Sequence, residues 1–123
     1  MTITSNLVDW VQLADLLGDA NDESQRLVLA EMWRDMIADL ERELAALVDL
    51  TSDAEVKMAL HRLAGFVSMW GFRELAARMK AIEKGPAPLV ELRRQQNEII
   101  AMADLSRREI TNRHPWLSVL RGG

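Results

Sequence analysis

The sequence contains no cysteine and no tyrosine, and it has only three prolines in 123 residues. The absence of cysteine excludes disulfide bridges, thiolate metal sites and cysteine nucleophiles, and it favours a reducing compartment. No apolar run approaches the roughly 20 residues of a membrane span. The N-terminus also has neither the basic start nor the apolar core of a signal peptide. We therefore expect a cytoplasmic protein.

Acidic residues outnumber basic ones, 19 to 15, and the formal net charge is −4. Residues 1–56 carry three basic and thirteen acidic side chains, whereas residues 57–90 carry six basic and two acidic ones. An acidic total without a dense basic stripe disfavours nucleic-acid binding. The positive middle segment can attract an acidic partner, or its charges can simply occupy a solvated face. The sequence alone leaves both interpretations open.

Glycines and prolines divide the chain into helical segments, because the apolar residues between them recur at helical spacing without strand-like alternation. The pattern predicts helices over residues 8–17, 22–50, 53–70, 72–84 and 88–112. Gly18 is expected to close the first helix and Asn21 to cap the second. Ser52 and Glu55 are expected to form a capping box for the third. The fold class is therefore all-α, as one domain: an antiparallel four-helix bundle with a short additional N-terminal helix.

The third helix carries a histidine beside several small residues. Its predicted buried seam consists of Val56, Leu60, Leu63, Val67 and Trp70. His61 lies off this seam, on a face shared with Lys57, Ala64, Gly65 and Ser68. Gly65 costs about 1 kcal/mol relative to alanine inside a helix. Either a partner group must approach the ring closely, or the small residues let another helix of the same bundle pack tightly.

The stretch HRLAGFVSMWG, residues 61–71, resembles the signature of histidine phosphotransfer (HPt) domains. That signature reads His, any residue, Leu, Lys, Gly, five variable residues, Gly. The matching positions are His61, Leu63, Gly65 and Gly71. The resemblance extends over most of residues 7–85, whereas the C-terminal helix is similar only in length and amphipathic character. An accidental match would need four motif positions and a helical frame to coincide.

The resemblance implies a phosphorelay intermediate of a two-component regulatory system. In such domains the histidine accepts a phosphoryl group from an aspartyl phosphate on one receiver domain and passes it to an aspartate on another. His61 is then the phospho-accepting residue of a carrier rather than of a turnover enzyme. A nitrogen of its imidazole ring offers the lone pair of a nucleophile.

The same resemblance implies the partners. They are a response regulator receiver domain and a hybrid or sensor histidine kinase, with no nucleic acid and no membrane. No cofactor is expected on this chain, because the family's Mg²⁺ belongs to the receiver domain. A monomer is expected, because the bundle is complete without a second copy.

The chain departs from the family pattern at Ala64, where the family has a lysine that helps to neutralise the transferring phosphoryl group. Lys57 or Arg62 can substitute for that charge. Glu83 stands where the family often has a glutamine or glutamate that hydrogen-bonds the other ring nitrogen. It can fix the tautomer of His61, or it can be a solvated residue at a helix end.

Small and apolar residues near the histidine are candidates for partner contact. Gly65 and Ser68 are expected to form an open floor under the ring. Ala64, Phe66 and Met69 are expected to contact a receiver, with the alternative that Phe66 and Met69 are simply buried. A second function hypothesis follows from the missing lysine: an HPt-like adaptor that binds a receiver or kinase and regulates it without carrying phosphate.

Other chemistry has little support in the sequence. There is no Glu-x-x-His pair for a di-iron site, and Ser68 lacks the glycine elbow of a hydrolase. His114, which precedes Pro115, has no evident partner and is predicted to lie at the surface.

Overall fold

The structure is a computed structural model that describes residues 6–18 and 22–118. These residues form five α-helices: α1 at Trp10–Leu17, α2 at Glu23–Ala46, α3 at Asp53–Met69, α4 at Arg73–Lys84 and α5 at Pro88–Arg113. Two short 3₁₀ helices, Leu47–Asp49 and Pro115–Ser118, follow α2 and α5. No β-strand occurs in the described ranges, where an isolated bridge pairs Val8 with Phe72. The predicted all-α class is confirmed.

Side-chain caps explain where several helices begin. The carboxylate of Asp9 accepts the backbone N–H of Gln12 at 3.0 Å, so α1 begins after Asp9 rather than at the predicted Val8. Asp22 caps α2 by accepting the N–H of Ser24 at 3.0 Å. The predicted cap of α2, Asn21, lies outside the described residues.

The capping box predicted for α3 is present in a modified form. The Ser52 hydroxyl accepts the backbone N–H of Glu55 at 3.2 Å, as the sequence predicted. The carboxylate of Glu55 accepts the N–H of Thr51 at 2.8 Å, one residue before the expected donor. Both bonds satisfy backbone donors that the first turn of a helix leaves open. They fix the entry of the chain into α3.

The core is apolar and draws on every helix. All five predicted seam residues of α3 are buried, and so are Leu75, Met79 and Ile82 of α4 and Leu92, Ile99 and Ala103 of α5. On α2 the seam from Trp33 to Leu44 is buried, as is Leu47 in the 3₁₀ helix that follows, whereas Leu29 is only half-buried. α3 packs along α4, and both helices contact α5. This packing holds α3 and α4 side by side, with one face of α3 left open.

The second helix ends at Ala46, earlier than predicted, and a distant arginine binds the carbonyl groups of the residues that follow it. The guanidinium of Arg93 on α5 donates to the carbonyl oxygens of Leu47 and Val48 at 3.0 Å each, and also to that of Leu50. The chain tightens there into the 3₁₀ helix Leu47–Asp49 instead of continuing as an α-helix. An arginine at this place also interacts favourably with the helix dipole.

Replacing Arg93 with methionine is expected to lower the free energy of unfolding by about 2 kcal/mol, because hydrogen bonds from a charged donor are lost. Urea unfolding followed by circular dichroism measures the change. Arg94→Met is the matched control. Arg94 pairs with Glu91 on its own helix at 2.7 Å, and an exposed pair of this kind contributes little to stability. Equal losses in both variants would contradict the role of Arg93.

The prediction that His114 lies at the surface without a partner is wrong. Its half-buried ring is 6.3 Å from the Trp10 ring and 6.2 Å from the Trp116 ring, centroid to centroid. The guanidinium of Arg113 lies 4.7 Å from the Trp10 centroid, and that of Arg26 lies 5.3 Å from the Trp116 centroid. This aromatic cluster joins α1 to the end of α5.

The stability of the fold is expected to decrease as the pH falls below about 6.5, the ordinary pKa of histidine. Burial, and then the charge of Arg113, lowers the pKa of His114 in the folded protein. The unfolded chain therefore binds the proton more readily. The stabilisation of the folded state by neutral His114 is present in full above pH 6.5. It is lost as the pH falls through the lower folded-state pKa of His114.

Urea midpoints measured between about pH 5 and 8 test this linkage. The wild-type midpoint should fall more steeply on acidification than that of His114→Asn. Parallel curves would show that another group causes the pH dependence.

Candidate functional site

His61 lies on the open face of α3 with 80% of its side chain exposed. Its Nδ1 is 3.1 Å from Oε2 of Glu83 on α4, and the side chain of Glu83 is only 18% exposed. The structure thus places a solvent-facing imidazole against a largely covered carboxylate. Of the two interpretations of Glu83, the contact with the ring is the one present, and a solvated helix-end residue is not.

This contact selects a tautomer of the imidazole. An ionised carboxylate can only accept a hydrogen bond, so the proton of a neutral His61 ring lies on Nδ1. The lone pair is then on Nε2, which bonds no described residue. The arrangement provides an exposed ring nitrogen that can act as a nucleophile, held in orientation by the carboxylate.

Gly71 makes the turn that brings α3 and α4 together. Its φ is +80°, a conformation that other residues rarely adopt. A Cβ placed on it would lie 2.9 Å from the carbonyl oxygen of Asp9. The N–H of Asp9 donates to the carbonyl oxygen of Gly71 at 2.7 Å. Gly71, the second glycine of the motif, is therefore required for two reasons. The backbone has a positive φ there, and the segment before α1 approaches too closely to leave room for a side chain.

Gly65 has no such structural need. It is exposed in the middle of α3, and a Cβ placed on it would meet no heavy atom of the described residues within 4 Å. The alternative that Gly65 allows another helix of the same bundle to pack closely is therefore wrong. The hydroxyl of half-buried Ser68 donates to the carbonyl oxygen of Gly65 at 3.3 Å. This open floor lies one turn after His61 and favours access by a partner group.

Ala64 is fully buried, which corrects the expectation that it contacts a partner. It belongs to the same core cluster as Leu63 and Val67. The side chain is turned far enough from the His61 face to be covered by its neighbours. A lysine here would have to leave the core, so the structure offers no cation at the position where the HPt motif has one.

The apolar residues near His61 divide into covered and open ones. Phe66 is half-buried and packs against the core, whereas Met69 is 52% exposed. Met58 is 75% exposed and lies on the face of His61, three residues before it. Met58 was not among the predicted contact residues, although its spacing from His61 was a sufficient signal. Two open methionines therefore flank the ring along α3.

The basic residues proposed to replace the motif lysine differ in their surroundings. Nη2 of Arg62 pairs with Oε2 of Glu43 on α2 at 2.7 Å, so its charge is engaged on the side of α3 away from Glu83. Lys57 is exposed, and it forms no ion pair within the part of the chain that the structure describes. Neither residue is brought into contact with the His61 ring.

The site is an open surface rather than a cavity. A groove of about 540 Å³ lies between α2 and α5, where Ile37, Leu44 and Ile100 contribute to its lining, and it does not include His61. Within residues 6–18 and 22–118, no group of three or more His, Asp or Glu side chains is arranged to hold a metal ion. None of the helices described has both the length and the apolar character needed to cross a membrane.

Comparison with known proteins gives no family assignment. No protein-family model, no curated protein and no solved structure matches this chain. The geometry around His61 and the similarity of residues 61–71 to the HPt signature are therefore the features that bear on function.

Proposed function

We propose that this chain is a histidine-containing phosphotransfer protein, in which His61 relays a phosphoryl group between receiver-domain aspartates of a two-component system. The observation that carries the proposal is the pair formed by His61 and Glu83, an exposed imidazole whose Nδ1 is 3.1 Å from a carboxylate oxygen. The HPt-like motif around His61 supports it.

The proposed step needs little more than the ring and its orientation. The Nε2 lone pair of His61 attacks phosphorus in line, while the bond from phosphorus to the receiver's aspartyl oxygen breaks. The aspartate leaves with the electron pair. The phosphorylated ring keeps its proton on Nδ1 and carries a positive charge, which the Glu83 carboxylate stabilises. Delivery to the second receiver reverses these events.

Glu83→Gln tests the charge of this carboxylate separately from its ability to accept a hydrogen bond. The side-chain oxygen of glutamine still accepts a hydrogen bond from the Nδ1–H group, but glutamine has no negative charge to stabilise the positively charged phosphorylated ring. We expect phosphoryl uptake to become about tenfold slower, the equivalent of roughly 1.4 kcal/mol in the barrier. Rapid-quench kinetics with a phosphorylated receiver measure it. An unchanged rate would remove Glu83 from the mechanism.

The proposed docking face is the open side of α3. Met58 and Met69 flank His61, and unbranched methionine side chains adapt to different partner surfaces. Gly65 adds no side chain, so a receiver loop can approach the helix closely. A protein that passes phosphoryl groups between two receivers needs such an accessible surface more than a closed pocket.

The proposal includes the architecture and setting of the domain. Helices α2 to α5 form an antiparallel four-helix bundle, and α1 lies across the end where α3 turns into α4. Support comes from the bonds of Asp9 to Gly71 and of Gln12 to the Met69 carbonyl oxygen. We propose a cytoplasmic monomer whose partners are a receiver domain and a histidine kinase, with Mg²⁺ on the receiver.

One observation favours the second candidate, a phosphate-free adaptor on the same fold. Ala64 is buried where the HPt signature has a charged lysine, so the chain lacks that contact to the phosphoryl group. An adaptor would keep the docking face and would not need the nucleophile.

The deciding experiment is phosphotransfer from phosphorylated receiver domains of the same genome. Intact mass, acid treatment and peptide mapping identify the product. The carrier predicts an acid-labile phosphoryl adduct on His61. Measurable binding of a receiver without an adduct from any of them would overturn the carrier and leave the adaptor.

A further inference from the structure

We propose that two lysines of α4, Lys80 and Lys84, supply the positive charge that faces the phosphoryl group on His61. This inference depends on the proposed carrier function. During phosphoryl transfer, negative charge is spread over three equatorial oxygens, and fixed cations beside them stabilise the transition state. The question is which basic residue of this chain can reach those oxygens.

The helix that carries His61 offers one unengaged cation. The charge of Arg62 is engaged by Glu43 at 2.7 Å, and the position of Ala64 is buried. Lys57, one turn before His61 on the same face, is the exposed cation that α3 keeps.

The neighbouring helix does present cations beside the ring. The contact between His61 and Glu83 sets the register of α4 against α3. Lys80 and Lys84 lie three residues before and one residue after Glu83, which corresponds to about 4.5 Å and 1.5 Å along the axis. Both side chains are exposed, and neither forms an ion pair or hydrogen bond with another described residue.

The direction of α4 places these two lysines on opposite sides of the bound ring. Because α3 and α4 are antiparallel neighbours joined by the turn at Gly71, Lys80 lies toward the Gly65 side of His61 and Lys84 toward the Lys57 side. Glu83 lies between them, and its carboxylate accepts the hydrogen bond from Nδ1 of the ring. The lysine charges thus remain available to an anionic group on Nε2. They replace, from a second helix, the charge that Ala64 does not provide.

A small phosphoryl donor separates this role from partner docking. With phosphoramidate, the phosphorus–nitrogen bond of the donor breaks, a bond to His61 Nε2 forms, and the nitrogen leaves as ammonia after taking up a proton from water. We expect Lys80→Gln and Lys84→Gln each to slow this reaction about tenfold, and the double variant about a hundredfold. Arg34→Gln, which removes the same charge from an exposed position on α2, is the matched control and should stay within about twofold.

Four further measurements make the test decisive. Thermal unfolding should be unchanged, because both lysines are exposed. Lys80→Arg with Lys84→Arg should retain most of the rate, and the loss in the double glutamine variant should shrink at high salt. Affinity for an unphosphorylated receiver should change much less than the rate.

Each other result points to a different conclusion. A wild-type rate in the double glutamine variant would overturn this inference and leave the carrier function intact. An equal loss in Arg34→Gln would indicate a diffuse electrostatic field instead of a local effect of the α4 lysines. A loss seen with receivers but not with phosphoramidate would make the lysines docking charges. Failure of wild-type His61 to be phosphorylated by any donor would overturn both proposals.

Discussion

Replacing His61 with glutamine is expected to abolish phosphoryl uptake and to leave the fold unchanged. Glutamine has no nucleophilic ring nitrogen, so no phosphoramidate bond can form at this position. The side chain is 80% exposed and makes one hydrogen bond, to Glu83. Surface substitutions of this kind usually change the free energy of unfolding by no more than about 0.5 kcal/mol. Intact mass after incubation with a phosphorylated receiver measures the loss, and thermal unfolding verifies the fold.

The second histidine provides a matched control, because the chain contains only two. His114→Asn should keep full uptake, since that ring is enclosed by Trp10 and Trp116. An acid-labile adduct that persists in His61→Gln would place the acceptor elsewhere and would contradict the mechanism. Full regulatory output from His61→Gln, together with unchanged receiver binding, would favour the adaptor. The two functions are therefore separated by one pair of variants.

The helices were predictable because their limits are set locally. Gly18, Ser52 and Gly71 end or cap helices through backbone conformation and short-range hydrogen bonds, which sequence patterns reveal directly. The buried seam of α3 followed from spacing alone. The contact between His61 and Glu83 could not be predicted from local spacing, because it depends on how two helices pair. The resemblance to a known motif provided that prediction.

The errors arose where long-range packing decides the outcome. Arg93 binds the carbonyl groups that follow α2 from 43 to 46 residues away in sequence, and no pattern within α2 signals it. Ala64 sits at the border between the core and the open face, where a small side chain is covered by its neighbours. His114 is enclosed by a tryptophan from α1, more than a hundred residues earlier in the chain. Local periodicity contains no information on such contacts.

The two motif glycines are expected to respond to the same substitution with opposite changes in stability. Gly71→Ala should lower the free energy of unfolding by about 3 kcal/mol, because it combines a strained backbone with a clash. The new methyl group would lie 2.9 Å from the carbonyl oxygen of Asp9, and φ is +80°. A decrease of about 10 °C in Tm corresponds to this loss in a chain of this size.

Gly65→Ala should instead stabilise the protein by about 1 kcal/mol, because alanine is the better helix former and the position is open. A chain that retains glycine at a place where alanine would stabilise it has a reason other than folding. If that reason is the approach of a receiver, Gly65→Ala will raise Tm by a few degrees while slowing receiver-dependent transfer about tenfold. Uptake from phosphoramidate, which needs no docked partner, will change little. A rise in Tm with unchanged transfer from receivers would show that the open space at Gly65 is not used by a receiver to approach His61.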